Sequence, residues 1–162
     1  VEALLAKIRQ RIPEVTIRST FIVGFPGETA SQYQSLRDFI EQQRFDKVGI
    51  FTYSREEDTP AYDMPDQVPE EIMQERYHDL MSLQSKISET INIEMEGKVL
   101  DVLIEGRDDE QHMAYGRSYR EAPDVDGQVF IEGDDISQPG DIVKVRILQG
   151  FDYNVVGERV DA

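Results

Sequence analysis

The residues best placed to do chemistry in this chain of 162 residues lie in one stretch, Ile22-Val23-Gly24-Phe25-Pro26-Gly27-Glu28-Thr29. An apolar run enters it, two glycines and a proline turn the chain, and a helical pattern leaves it. Strand, glycine-rich turn and helix make half of a βαβ unit, and α/β folds bind their ligands at such turns. Thr20, Ile22 and Gly24 are alternate positions and so share one face of the entering strand. The same residues also serve a strand buried against its helix with an ordinary capped turn. Phe51-Thr52-Tyr53-Ser54, the end of a second β-rich run, is another candidate lining; Phe51 and Tyr53 belong either to a ligand site or to the core.

Several chemistries are excluded by what the sequence lacks. It has no cysteine, hence no disulfide, thiolate nucleophile or cysteine-held metal cluster of its own. With only His78 and His112 it has no histidine-rich metal site. No metal ligand and no catalytic residue is assigned. Net charge is −16, from 33 acidic and 17 basic residues. A surface of that sign repels phosphate backbones and attracts basic partners, or simply keeps the protein soluble. No apolar run approaches the roughly 20 residues that span a bilayer, and no signal-peptide pattern opens the chain. The expectation is a cytoplasmic, soluble protein that meets no membrane.

The elements around the turn follow from periodicity. Residues 1–11 read as a short helix stopped by Pro13; there is no initiator Met and no capping residue, so the N-terminus is expected to be a cut through a larger protein. Val15 to Gly24 is a strand with apolar residues on both parities near its end, as in parallel strands covered on both faces. Thr29 with Gln32 forms a capping-box pattern for a helix carrying Tyr33, Leu36 and Ile40 and ending near Gln43. Phe45 to Tyr53 is the next strand, completing a right-handed crossover. After a proline-rich polar loop, Pro69 opens a long helix to about Ile91, with Met73, Leu80, Leu83, Ile87 and Ile91 as its stripe. From Gly97 short alternating segments take over, near 98–105, 112–119, 127–132, 141–149 and 153–160, which suits a small closed OB-like barrel. The fold class is α/β followed by all-β, with residues 1–95 the last portion of a larger α/β sheet or barrel, and 96–162 a second domain.

Four stretches in order, IRSTFIVGFPGET, FDKVGIFTYSREEDTPA, DQVPEEIMQERYHDLMSLQSKIS and YGRSYREAPDVDGQVFI, resemble the radical-SAM methylthiotransferases, and most of all their RimO-type branch, which modifies an aspartate of a small-subunit ribosomal protein. The resemblance implies the end of a radical-SAM partial (β/α) barrel followed by a five-stranded TRAM β-barrel that binds substrate. It also implies S-adenosylmethionine and two 4Fe-4S clusters as cofactors of the complete enzyme. The cluster cysteines lie outside this sequence, so the segment alone is expected to be inactive. On this resemblance Thr20, Ile22 and Gly24 occupy the family's G-x-I-x-G strand beside the adenosine, with threonine in place of the first glycine. Ile22 would pack on the adenine and Gly24 would admit the ligand to the backbone. Phe51 and Tyr53 would line the same site. Glu28 stands one residue later than the glutamate of the wider superfamily, and Asp58 stands where the branch has a glycine before Thr59.

Substrate is read from charge. Residues 96–162 hold 16 acidic and 7 basic residues, and residues 1–95 hold 17 and 10. A basic ribosomal protein is the better electrostatic match, and tRNA the poorer one. Asp124 and Asp126 either cap a turn or face that substrate. Arg117 is a further substrate-binding candidate and, with Arg120, the one place for a small RNA-facing patch. Two alternatives stay open: the same chemistry on tRNA adenosine, and a non-catalytic acidic binding module.

Overall fold

In the computed structural model, which describes residues 1–160, helix α1 (Glu2–Arg11) closes just before Pro13. The proline ring has no N–H to continue the ladder. Strand β1 (Arg18–Val23) begins three residues later than the apolar run because the Ile17 N–H is taken at 2.8 Å by the Asp46 carboxylate. Helix α2 (Ala30–Gln43) starts at the expected capping box: Thr29 Oγ1 accepts from the Gln32 N–H at 3.2 Å, and Gln32 Oε1 accepts from the Thr29 N–H at 2.9 Å. It ends where Arg44 turns left-handed at φ 45°. Strand β2 (Lys47–Thr52) lies parallel to β1, with Thr20 opposite Gly49 and Ile22 opposite Phe51.

Helix α3 (Glu70–Ile93) opens one residue after Pro69, whose carbonyl accepts from the Met73 N–H at 3.1 Å. The chain divides into two compact units inside this helix, between Ile87 and Ser88. In the first unit, Phe21 of β1 meets Phe39 of α2 and Phe45 edge-on, with ring centroids 6.3 and 5.8 Å apart. Val23 and Ile40 are fully buried there. Helices α2 and α3 are joined by Asp79, which accepts hydrogen bonds from the Tyr33 hydroxyl and from Arg37 Nε. Burial, and then that bond to Asp79, push the Tyr33 hydroxyl pKa up.

The second unit is the expected small barrel. Strands β3 (Val99–Asp108), β4 (Met113–Arg117), β5 (Val129–Glu132), β6 (Ile142–Gly150) and β7 (Val155–Arg159) close in the order β3-β4-β5-β7-β6. The β5–β7 pair is parallel and the other pairs antiparallel, so the barrel is mixed. Period-two alternation points Leu100, Val102 and Ile104, Val143, Val145 and Ile147, and Val129 and Ile131 into one core. Register shifts at Ile104/Gly106 and Ile147/Gln149 supply the bends that closure needs. Gly116 lets β4 approach β3: a Cβ there would stand 2.0 Å from the Leu103 carbonyl oxygen. Among the described residues no helix is long and apolar enough to cross a membrane.

The loop from β5 to β6 is held by the buried Asp134 carboxylate. It accepts from the N–H groups of Ile136 and Ser137, at 3.1 and 3.0 Å, and from the Ser137 hydroxyl. Burial alone would raise its pKa; the bonds from Ser137 and Ile136 and the charge of Arg159 together outweigh burial and hold it below the usual carboxylate value. A depressed carboxyl pKa contributes stability that is present above the unfolded value of about 3.9 and is lost as pH falls through the folded value. Thermal melts between pH 7 and pH 3 are therefore expected to show a drop below about pH 4 that is smaller in Asp134→Asn than in the wild type; equal drops would contradict the assignment. In the core, Ile131→Ala should cost about 2–4 kcal/mol in urea unfolding, because the closed barrel cannot collapse onto the void.

Candidate functional site

The β1–β2 register decides which residues share a face. Opposite pairing of Thr20 with Gly49 and of Ile22 with Phe51 puts all four on one side of the sheet, with Phe21, Val23 and Ile50 on the other. The second side is core. The first is open: Ile22 is 56% exposed and Phe51 59% exposed. One side of β1 therefore remains uncovered by the described residues, whereas its sequence reads as covered on both.

Tyr53 continues the ladder one step past β2, its N–H donating to the Val23 carbonyl at 2.8 Å. That places it on the Phe51 side. Its ring meets Phe25 edge-on, 5.4 Å between centroids. Its hydroxyl oxygen is buried and has no hydrogen-bond partner among the described residues. An unsatisfied buried hydroxyl costs roughly 1–3 kcal/mol.

Gly24 sits past the end of β1 at φ 79°, where a side chain is strained. A Cβ would also fall 2.2 Å from Met73 Cγ of α3. Its N–H donates to Glu28 Oε1 at 3.1 Å, closing the turn on itself. The same carboxylate oxygen forms an ion pair with Arg76 of α3, whose guanidinium also lies over the Tyr33 ring, 5.3 Å from its centroid. Both side chains of the pair are nearly buried, 11% and 13% exposed. Thr20, Ile22, Phe51 and Tyr53 are thus brought to one face and Gly24 to its rim, while Glu28 is occupied in holding the rim.

Residues 97–160 match the TRAM domain family. Over nearly its whole length the chain is 48% identical to the "Ribosomal protein uS12 methylthiotransferase RimO" of Syntrophotalea carbinolica, covering 99% of this chain and 35% of that protein. Proteins of the same name are 45% identical in a Roseiflexus species and 44% identical in Caldanaerobacter subterraneus, with 98% of this chain and 34% and 36% of theirs aligned. The chain belongs to the RimO family. It corresponds to the C-terminal part, spanning about a third of the length of the curated relatives it matches.

In the TRAM barrel of this RimO segment the four candidates scatter. Asp126 is used by a turn, its Oδ2 accepting from the Ala122 N–H at 2.8 Å. Asp124 is exposed in a left-handed conformation, φ 59°. Arg117 lies 2.8 Å from Glu105, a charge pair without an aligned hydrogen bond from Nε. Arg120 is not at the surface: it is 4% exposed and bonds Asn92 Oδ1 at 3.3 Å, so the expected Arg117–Arg120 patch does not form. Among the described residues no group of three His, Asp or Glu is placed to hold a metal ion.

Arg76 is the functional-region residue that motif reading missed. The signal was present, since Arg76 falls three residues after Met73 and four before Leu80 on the apolar stripe of α3. A charge in such a stripe demands a partner, and Glu28 is that partner. Glu28→Gln should therefore destabilise the protein by about 2–4 kcal/mol, by leaving the Arg76 charge buried and poorly paired. Glu41→Gln, which breaks only the exposed pair with Arg37, should cost under about 0.5 kcal/mol. Chemical denaturation of both variants checks this; equal costs would contradict it.

Proposed function

We propose that the complete protein adds a methylthio group to the β-carbon of an aspartate in ribosomal protein uS12, a basic small-subunit protein, in the cytoplasm. Residues 1–95 are the end of its radical-SAM barrel and contribute one wall of the S-adenosylmethionine pocket; residues 96–162 are its substrate-binding TRAM domain. The names and identity of the relatives support this, and so does the charge pattern. The open face is the observation that carries the cofactor role.

That face suits an adenosine-bearing ligand. Ile22 and Phe51 present apolar surface to a purine, while Gly24 is packed against Met73 and bonded to Glu28 and so shapes the end of that face rather than admitting the ligand to its backbone. The chain does not fit an iron–sulfur cluster, for it contains no cysteine. We place both proposed 4Fe-4S clusters on cysteines elsewhere in the complete enzyme and derive no step from them here. When bound, S-adenosylmethionine supplies the carbon radical that takes a hydrogen atom from the substrate. The residues of this chain do three simpler things. Ile22 and Phe51 would bind the nucleoside by removing apolar area from water, the pinned Gly24–Glu28 turn would border that surface, and the barrel would hold the substrate.

Electrostatics favours a protein substrate over RNA. Besides the acidic excess, four of the five basic residues of the barrel strands are paired with acids: Arg107 with Asp109, Arg117 with Glu105, Lys144 with Asp101 and Arg146 with Glu158. Phosphate contacts would have to displace these carboxylates. The test uses the complete enzyme with reconstituted clusters, under reducing anaerobic conditions, offered uS12 and tRNA at near-physiological salt. The expected result is a methylthio-aspartate in uS12 by mass spectrometry and binding of uS12 that weakens as salt rises. Tight tRNA binding with no binding of uS12 would reverse the substrate order, and absence of any transfer with both would leave the segment as a binding module.

A further inference from the structure

Two loops of the barrel lie side by side where β5 and β7 begin: residues 122–128 and 151–154. The Gln128 N–H donates to Asn154 Oδ1 at 2.8 Å, and the Val155 N–H to the Gln128 carbonyl at 3.1 Å. At Gly127 the backbones come so close that a Cβ would stand 1.8 Å from the Tyr153 carbonyl oxygen. Each loop is also closed on itself. Asp126 holds the Ala122 N–H, and the Phe151 N–H donates to the Asn154 carbonyl at 2.9 Å. Asn92 Nδ2 donates to the Phe151 carbonyl at 2.7 Å. Backbone held from so many sides cannot withdraw its side chains, and Val125, Tyr153 and Phe151 stay 63%, 49% and 40% exposed. Asp124, next to Val125, is exposed as well.

Charge sets this surface apart. The two loops hold three acids, Asp124, Asp126 and Asp152, and no Lys, Arg or His. Arg120, which precedes them, is buried. Another outward apolar step of the barrel, Ile142 opposite Leu103, lies at the far end of β6 from these loops. It sits among the Lys144–Asp101 and Arg117–Glu105 pairs, whose charges cancel. Of the two surfaces, the loop pair alone joins exposed aromatic and aliphatic groups to acidity without a cation.

We infer that these two loops are where the barrel docks a basic protein segment, an arginine or lysine of the partner lying along Tyr153 and Val125 with its charge toward Asp124. This deepens the substrate reading above and rests on it, assigning to two loops what that reading gives to the barrel as a whole. A guanidinium stacks on an aromatic face and a long aliphatic stem covers apolar surface, so one basic side chain uses both features. The pre-set backbone keeps the ordering cost of binding low. A phosphate backbone would meet carboxylates there and no cation.

The test measures binding of purified uS12 to the complete enzyme by calorimetry, at low and near-physiological salt, with Tm recorded in its absence. The variants are Tyr153→Ala, Tyr153→Phe, Asp124→Asn and Ile142→Ala. Tyr153→Ala is expected to weaken uS12 about five- to thirtyfold, while Tyr153→Phe, which keeps the ring, stays within about twofold of wild type. Asp124→Asn, a residue suited to the left-handed backbone there, should weaken it about two- to fivefold at low salt and less at higher salt. Ile142→Ala should leave Kd unchanged, and every variant should keep the wild-type Tm. Should Tyr153→Ala unfold, the salt-dependent loss in Asp124→Asn decides. Wild-type Kd in both Tyr153→Ala and Asp124→Asn overturns this inference alone, as does an equal loss in Ile142→Ala. A fall in Tm with unchanged Kd assigns the loops to another part of the complete protein and overturns it too. A wild type that binds tRNA in place of uS12, or neither, overturns the substrate reading and this inference with it.

Discussion

The in-register parallel pairing of β1 with β2 is the constraint on which the first unit depends. In a parallel pair, residues opposite one another point the same way, so aligning Ile22 with Phe51 commits both to one side and Val23 with Thr52 to the other. A one-residue slip of β2 would turn Phe51 to the closed side and the buried Ile50 outward. The aromatic contacts among Phe21, Phe39 and Phe45 oppose such a slip, since each ring fills space beside the others on the closed side. The exposed apolar side is thus a by-product of the same register that makes the core. Two large side chains on adjacent strands are thereby left more than half exposed on that side.

The end of β1 fixes where that surface stops. Gly24 can adopt its left-handed conformation and sit against Met73 only without a side chain, and the chain reverses there at once. A turn of this kind has many accessible conformations unless something holds it. Glu28 holds it from within through the Gly24 N–H and anchors it to α3 through Arg76. A nearly buried ion pair is a poor source of net stability, because both ions lose water. Its value here is geometric: the loop can adopt another shape only by separating two charges with little solvent to receive them. Strength of anchoring and net stabilisation are different quantities, and this pair supplies the first.

Most of the architecture could be read from the sequence because the local signals agreed with one another. The Thr29–Gln32 box, Pro69 at the head of α3, and the turn residues between β-runs each mark a boundary, and the alternation from Leu100 to Ile104 names the inward residues of the barrel. The end of β1 beside Ile22 with its turn at Gly24, and the end of β2 beside Phe51 and Tyr53, were legible as strand boundaries. Burial was less legible. Arg120 looked like surface charge, but Asn92 gives it a hydrogen bond inside the unit, and no local pattern marks two residues 28 positions apart as partners. Asp126 divided the same way: its type suits a turn or a ligand, and the short bond to Ala122 decides for the turn. The orphan hydroxyl of Tyr53 had no sequence signature at all, because being unpaired is a property of everything around it.

Charge is where sequence and structure say different things about the barrel. Counting gives an acidic excess, which speaks to encounter with a basic partner but not to where it docks. The structure adds that Arg107, Arg117, Lys144 and Arg146, four of the five basic residues on the barrel strands, are each set against an acid, at 2.8 to 3.2 Å, while Arg159 bonds the Ser137 hydroxyl. Exposed pairs of this kind are worth no more than about 1 kcal/mol each, so their role in folding is slight. Their consequence for recognition is larger. A phosphate approaching Arg146 must first displace Glu158, and the freed carboxylate then repels it. An incoming lysine or arginine can instead pair with acids that remain outside these bridges, Asp124 and Glu110 among the exposed ones, without breaking anything. Four of the strand cations are committed to acids while part of the barrel's acidity is left outward, and that asymmetry, more than the net charge itself, is the physical reason to look for a basic protein rather than a nucleic acid against it.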